Sequence, residues 1–333
     1  VNFNFVKGAF FILFVILSWV GTSLIVKLTL TAKEQSEAGE YDKPLFIGYV
    51  SCSSFVVYSA KLVFEFAVKA RCRLGSIEDP AVRKLEAKMA LQLFAVFFVS
   101  VNLYYQCLSK TSLSSTIILG NTSSIFVFVF ALCLLREKFS YTKLAAMFFC
   151  AGGVALVAYS DEESSSNSEH LFGDIIGLIS ALLLGLYSTL LARLIPIEME
   201  ESISFFNILG ILGALCMVTF WPLLVIFHFT GLETVELPQG KAIVSIVVNI
   251  IFGTLLFDYC WARATILLGP LLANTSVIFV VPISMAVDSL FQKTSFSWKY
   301  YVGTAAIIIG FLLVAGKNYI DSLKAKKTEA EDK

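Results

Sequence analysis

Ten runs of apolar residues divide this chain, near positions 8–30, 45–66, 89–108, 112–135, 142–160, 171–192, 204–228, 242–262, 268–290 and 299–316, with polar or charged stretches between them. A helix needs about 20 apolar residues to cross the hydrocarbon layer of a bilayer. The pattern therefore predicts an all-α polytopic membrane protein of ten transmembrane helices. The first run is predicted to be a span and not a signal peptide. It is too long, lacks a short apolar core followed by a small-residue cleavage site, and has a counterpart later in the chain. The chain opens on Val1 without an initiator Met, as a trimmed or partial sequence would.

Composition agrees. Of 333 residues, 57% are hydrophobic and 15% charged, against roughly 25% charged in a typical soluble domain. Mean hydropathy is +0.81. Lipid solvates that much apolar surface on the outside of a bundle, where water would not. The formal net charge is zero, so no global field attracts nucleic acid or another polyanion. The seven cysteines are scattered, mostly inside apolar runs, and there are two histidines. Neither a disulfide framework nor a metal site is indicated, and no cofactor is expected.

Orientation follows from Lys and Arg. With a cytosolic amino terminus, 17 of the 25 basic residues fall on the cytosolic side and seven on the other, with Lys61 inside the second run. Both termini are thus predicted to face the cytosol. The Lys- and Arg-free stretch "SDEESSSNSEH" (160–170) is predicted to face the lumen or exterior.

That stretch splits the runs five and five. A shift of 157 residues places "FSY" (139–141) on "FSW" (296–298), Gly153 on Gly310 and "LVA" (156–158) on "LVA" (313–315). A shift of 166 places "SLIVKL" (23–28) on "TLLARL" (189–194). Each match is short. Parity is more telling, because a repeat of five spans must insert its copy upside down, as secondary transporters do. The expected organisation is a first five-helix repeat over 1–160, a second over 161–316, and a cytosolic tail over 317–333.

Several segments resemble the drug/metabolite transporter superfamily, and within it the F branch of solute carrier family 35 with its fungal vacuolar-membrane relatives. They are "YDKPLF" (41–46), "NLYYQCLSKTSLSSTIILGNTSSIF" (102–126), Glu137, "GLYSTLLAR" (185–193), "WPLL" (221–224), "VNIIFGTLLFDYCWARA" (248–264) and "GPLLANTSVIFVVPISMAVD" (269–288). The likeness runs in order over nearly the whole chain. It implies ten helices in two inverted repeats, transport of a small organic metabolite, residence in an endomembrane such as vacuole or Golgi, and no catalysis. It does not specify the substrate. "LLGP" (267–270) departs from relatives, which more often carry Thr-Ser before the proline.

Polar groups inside a bilayer are costly and so point to a protein- or water-lined interior. In the fourth run, Ser115 and Thr122 lie seven apart, as do Thr116 and Ser123, making a stripe. Such a stripe serves either helix packing or cavity lining. In the eighth run, Thr254, Asp258 and Trp261 occupy i, i+4 and i+7 and place hydroxyl, carboxylate and indole on one surface. An ion pair of Asp258 with Arg263 is the bland alternative. Five residues turn a helix by about 500°, leaving those two side chains about 140° apart. Asn274 and Asp288 mark the ninth run, the latter as a boundary or gate residue. Asn102 in the third run maps beside Asp258 under the 157 shift. Tyr187 is placed to stack on a planar solute, or else is a core aromatic. Pro270 and Pro282 predict bends in the ninth helix. Lys61 and Glu65 form an i, i+4 pair that mutual pairing explains. The candidate solute-binding set is Asn102, Ser115, Thr122, Ser123, Tyr187, Thr254, Asp258, Trp261 and Asn274.

An intramembrane enzyme is the rival class. "LFGD" (171–174) lacks the first Gly of a "GxGD" protease signature, both histidines lie near helix ends, and "HExxH" and "GxxxxGK[ST]" are absent. A non-transporting membrane scaffold is the third class. The expected partners are a small-molecule solute and membrane lipid, with no nucleic acid and with the oligomeric state open.

Overall fold

The computed structural model describes residues 3–31, 43–60, 80–110, 113–137, 139–161, 168–199, 203–231, 233, 240–280, 283 and 298–331. Every regular element among them is helical. In chain order they are α1 (Phe3–Thr31), α2 (Pro44–Ser54, continued by a 3₁₀ turn at Phe55–Ser59), α3 (Pro80–Lys110), α4 (Leu113–Leu134) and α5 (Tyr141–Asp161). The second half holds α6 (Ser168–Leu194), α7 (Phe205–Thr230), a composite α8, α9 (Pro270–Val277) and α10 (Trp298–Glu331). The composite comprises α8a (Lys241–Val248), a π-helical segment (Asn249–Leu256) and α8b (Phe257–Leu268). Among the described residues, five stretches are long and apolar enough to cross a membrane: Phe5–Thr22, Ala81–Lys110, Phe172–Leu194, Phe205–Thr230 and Ile246–Leu268.

The outside of the bundle is apolar, as lipid requires. On α7, Met217, Val218, Trp221, Val225 and Phe229 are exposed. On α1, Phe10, Leu13 and Leu17 are exposed as well, while Val15 and Ile16 are buried. Among the described residues, two main cores lie within, beside a small cluster of Ile12, Ile16, Ala264 and Ala273. The larger joins α1, α2, α3, α6, α7 and α8 through Val15, Phe55, Leu93, Phe97, Tyr187, Leu191, Ile208 and Trp261. The smaller joins α4, α5, α9 and α10 through Val127, Phe128, Met147, Leu271, Leu272 and Val314.

Glycines set the closest helix crossings, the membrane-packing device in which small residues let backbones meet. A Cβ on Gly153 of α5 would lie 2.6 Å from the Gly303 carbonyl and 2.9 Å from Ile307 of α10. A Cβ on Gly310 of α10 would lie 2.5 Å from Cys150 Sγ and 2.8 Å from the Ala146 carbonyl of α5. Gly210 and Gly213 of α7 press against Ser59, Phe55 and Val56, the 3₁₀ end of α2.

Pro270 does not bend the ninth helix. It stands in the first turn of α9, where its missing N–H has no partner to lose. Gly269, at φ 86°, ends α8b just before it. Pro282, Asp288, Lys61 and Glu65 lie outside the described residues.

The α7 glycines give the first prediction. Gly213→Leu forces a side chain into the backbone of α2, and overpacking of that kind costs about 1–3 kcal/mol. Gly152→Leu, where an added Cβ meets nothing within 4 Å, leaves stability unchanged. Thermal unfolding of the two variants in detergent checks the contrast.

Candidate functional site

Asp258 sits in the first turn of α8b. Its side chain is half-buried and its field acts on Cys52 and Tyr58 of α2, Tyr105 of α3 and Tyr187 of α6. The carboxylate therefore looks inward, among three other helices. It forms no hydrogen bond or ion pair with any described residue, Arg263 included.

Aromatic rings wall this position. Tyr187 stacks on Trp261 with centroids 5.9 Å apart and planes 13° from parallel. Phe97 tilts against Tyr187 at 5.0 Å and against Phe55 at 5.4 Å. Phe55 stacks on Tyr58 at 6.2 Å, and Tyr58 lies 6.2 Å from Tyr259. The rings thus run continuously from α8b through α2, α3 and α6 and back to α8b.

The local cause is the π segment before Asp258. An i→i+5 ladder is widened relative to an α-helix and leaves backbone groups in need of other partners. Here side chains from other helices supply them. Ser18 Oγ of α1 donates to the Phe252 carbonyl at 2.6 Å, and Tyr58 OH of α2 donates to the Leu255 carbonyl at 2.9 Å. At the start of the segment, Asn249 Nδ2 donates to Tyr105 OH at 3.1 Å, and that hydroxyl also lies 3.3 Å from Ser51 Oγ. One phenol thus ties α2, α3 and α8 together. Gly253 makes room, since a Cβ there would fall 2.6 Å from Asn249 Oδ1.

Of the residues predicted from the sequence, Tyr187, Asp258 and Trp261 come together, with Thr254 buried one turn before Asp258. The others go elsewhere. Asn102 Nδ2 donates to the Phe98 carbonyl of its own helix at 2.9 Å. Its face borders an apolar cleft of about 180 Å³ with Leu45, Tyr49, Phe98, Phe220 and Phe227. Asn274 Nδ2 donates to Ser188 Oγ at 2.7 Å and to the Pro270 carbonyl at 2.8 Å, fastening α9 to α6. Thr122 Oγ1 donates to the Leu119 carbonyl at 2.5 Å. Ser123 is buried, and its backbone carbonyl faces Gly185 of α6. The side chain of Ser115 lies outside the described residues. Tyr58, Tyr105, Asn249, Ser51 and Cys52 were not singled out by spacing. The i, i+4 pair of Asn249 and Gly253, an amide above a glycine inside a span, was the available signal.

A difference in stability follows. Tyr105→Phe strands Ser51 and Asn249 and lowers stability by about 1 kcal/mol, the scale of a hydrogen bond between helices in lipid. Asp258→Asn breaks no bond and removes an unpaired charge, so it leaves stability equal or higher. Thermal melts of both variants in lipid nanodiscs read the two signs.

Comparison with known proteins agrees with this architecture. Residues 9–316 match the SLC35F family, described as solute carrier family 35. The chain is 28% identical to the thiamine-repressible mitochondrial transport protein THI74 of Saccharomyces cerevisiae, over 92% of this chain and 90% of that protein. It is also 28% identical to an uncharacterised vacuolar membrane protein of the same yeast, over 94% of this chain and 91% of that one. Solute carrier family 35 member F5 of Macaca fascicularis is again 28% identical, over 68% of this chain and 53% of the macaque protein. A solved crystal structure 14% identical in sequence superposes with a TM-score of 0.60 over 92% of this chain and 96% of its own, which shows a shared fold.

Proposed function

This chain belongs to the SLC35F family of solute carriers, and from that premise we propose that it is a secondary transporter carrying a small organic metabolite across an endomembrane by alternating access, with Asp258 at the solute site. One observation carries the site. A carboxylate inside the bundle, with no described partner and with rings on the neighbouring helices, is expensive unless a cation or a proton visits it. Aromatic faces attract cations in the same way. The site therefore suits a solute bearing a positive charge, or a coupling proton. Thr254 and Trp261 shape the wall, and Tyr187 offers a stacking face.

Alternating access rests on the two-fold relation between halves, and the α5–α10 crossing supports it. Ala146, Cys150 and Gly153 correspond under the 157 shift to Gly303, Ile307 and Gly310. Gly153 meets Gly303 and Ile307, while Gly310 meets Ala146 and Cys150, so the contact is reciprocal. Rising numbers on one helix meet falling numbers on the other. An operation exchanging two antiparallel helices in this way is a two-fold axis perpendicular to both, in the membrane plane. This supports repeats over 1–160 and 161–316, and the Lys and Arg bias supports both termini and the tail over 317–333 facing the cytosol. The names of the yeast relatives favour an organellar membrane.

The experiment is uptake by purified protein in proteoliposomes, screened over cationic, anionic and neutral metabolites. Wild-type protein takes up at least one solute, and Asp258→Asn loses that uptake by tenfold or more while folding normally. Uptake by Asp258→Asn at the wild-type rate would refute the site. Absence of uptake for every class would favour a scaffold.

A further inference from the structure

Two glutamates outside the solute site hold the ends of α2 and α7. Glu233, just past the end of α7, accepts the Leu45 N–H at 3.0 Å and the Phe46 N–H at 2.8 Å, one on each carboxylate oxygen. Glu86, near the start of α3, accepts the Ser204 N–H at 2.7 Å on one oxygen and Asn207 Nδ2–H at 3.0 Å on the other. The first N–H groups of a helix have no partner within it. At both of these starts the helix's own N-cap residue makes no side-chain capping bond to the helix, not even Ser204, so the remote carboxylate takes that place.

The two arrangements correspond. Each glutamate follows one of the paired helices and closes on the beginning of the other. Glu86 lies after α2 and holds the start of α7; Glu233 lies after α7 and holds the start of α2. They sit at the two ends of α7, a helix of 26 residues, and so roughly 38 Å apart. Each joins a residue before position 160 to one after it. Between them α2 and α7 cross at Gly210 and Gly213, and α2 carries Cys52 and Tyr58 past Asp258.

We infer that Glu86 and Glu233 are the two gates of the transport cycle, one latch at each membrane face, released in alternation. This rests on the alternating-access reading above. Both latches are closed in this structure, which is the arrangement of an occluded state. Opening one face parts the α2 and α7 ends there and breaks a pair of charge-assisted hydrogen bonds, while the glycine crossing keeps the helices together between the latches. The 3₁₀ turn at Phe55–Ser59 lies at that crossing and marks the hinge. The latches differ in strength. Glu86 and Asn207 are 1% and 0% exposed. Glu233 is half-buried, and the apolar cleft bordered by Leu45 and Phe227 lies beside it. The Glu233 face is thus the more easily opened.

Glutamine separates a gate from a static cap, because it offers one acceptor oxygen where each latch uses two. Hydrogen exchange of the full chain in nanodiscs, read by mass spectrometry, needs no solute. Glu233→Gln raises exchange over 43–54 by threefold or more and lowers it over 203–213, because opening one face tightens the other. Glu86→Gln does the reverse. Glu→Asp at each position, which keeps both oxygens, gives a smaller change of the same sign and serves where the Gln variant fails to fold. Loss of protection confined to the mutated end, or at both ends together, would overturn the gates and leave two structural caps. Reciprocal exchange alongside wild-type uptake by Asp258→Asn would refute the solute site alone. Local exchange alongside lost uptake would refute the latches alone.

Discussion

Hydrocarbon offers no hydrogen bonds, and the architecture of this protein follows from that constraint. Each backbone group that leaves an α-helical ladder inside the bundle has to find a partner in the protein. The π segment of α8 is the largest such departure among the described residues. Ser18 and Tyr58 reach its carbonyls from α1 and α2, and Asn249 reaches out of it to Tyr105 on α3. The irregular turn is therefore a junction of four helices. The same constraint explains Glu86 and Glu233, each of which supplies two acceptor oxygens at a helix start.

Asp258 is the exception that these satisfied groups throw into relief. Ser18 and Asn249 each bond to a neighbouring helix, and the phenols of Tyr58 and Tyr105 are occupied. The one carboxylate among them is not, within the described residues. A structural ion pair would have joined it to Arg263, which does not happen. A group left unpaired where pairing is so strongly favoured fits a role in which its partner comes and goes. The ring wall from Trp261 through Tyr187, Phe97, Phe55 and Tyr58 to Tyr259 surrounds that position with polarisable faces. No buried cation is needed to complete it.

The five described stretches able to span a membrane were legible as runs of about twenty apolar residues, because a bilayer imposes that length on any helix. The gathering of Asp258, Trp261 and Tyr187 was legible in part, since Asp258 and Trp261 share a helix at i and i+3, and Tyr187 lies in a run whose charged end marks its direction. The polar stripe of α4 was not decisive. Thr122 turns onto its own helix and the Ser123 carbonyl faces Gly185, and a small hydroxylated residue reads alike whether it packs or lines a cavity. Asn102 and Asn274 are ambiguous for the same reason, each donating to the carbonyl four residues back. The π segment was hidden because its stabilising donors lie 234 and 197 residues away in sequence. The two latches were hidden in loops and a helix start, where glutamates are ordinary.

A solute that enters the bundle at Asp258 shields its carboxylate from chemical attack. The most direct measurement is the rate at which a lipid-permeant carbodiimide modifies Asp258 in the full chain in liposomes, followed by mass spectrometry, with and without each solute the protein takes up. Asp258 is expected to be modified, and a transported solute to slow that modification by severalfold. An Asp258 that is inert to the reagent, or that reacts at one rate whatever solute is present, would contradict a solute site there.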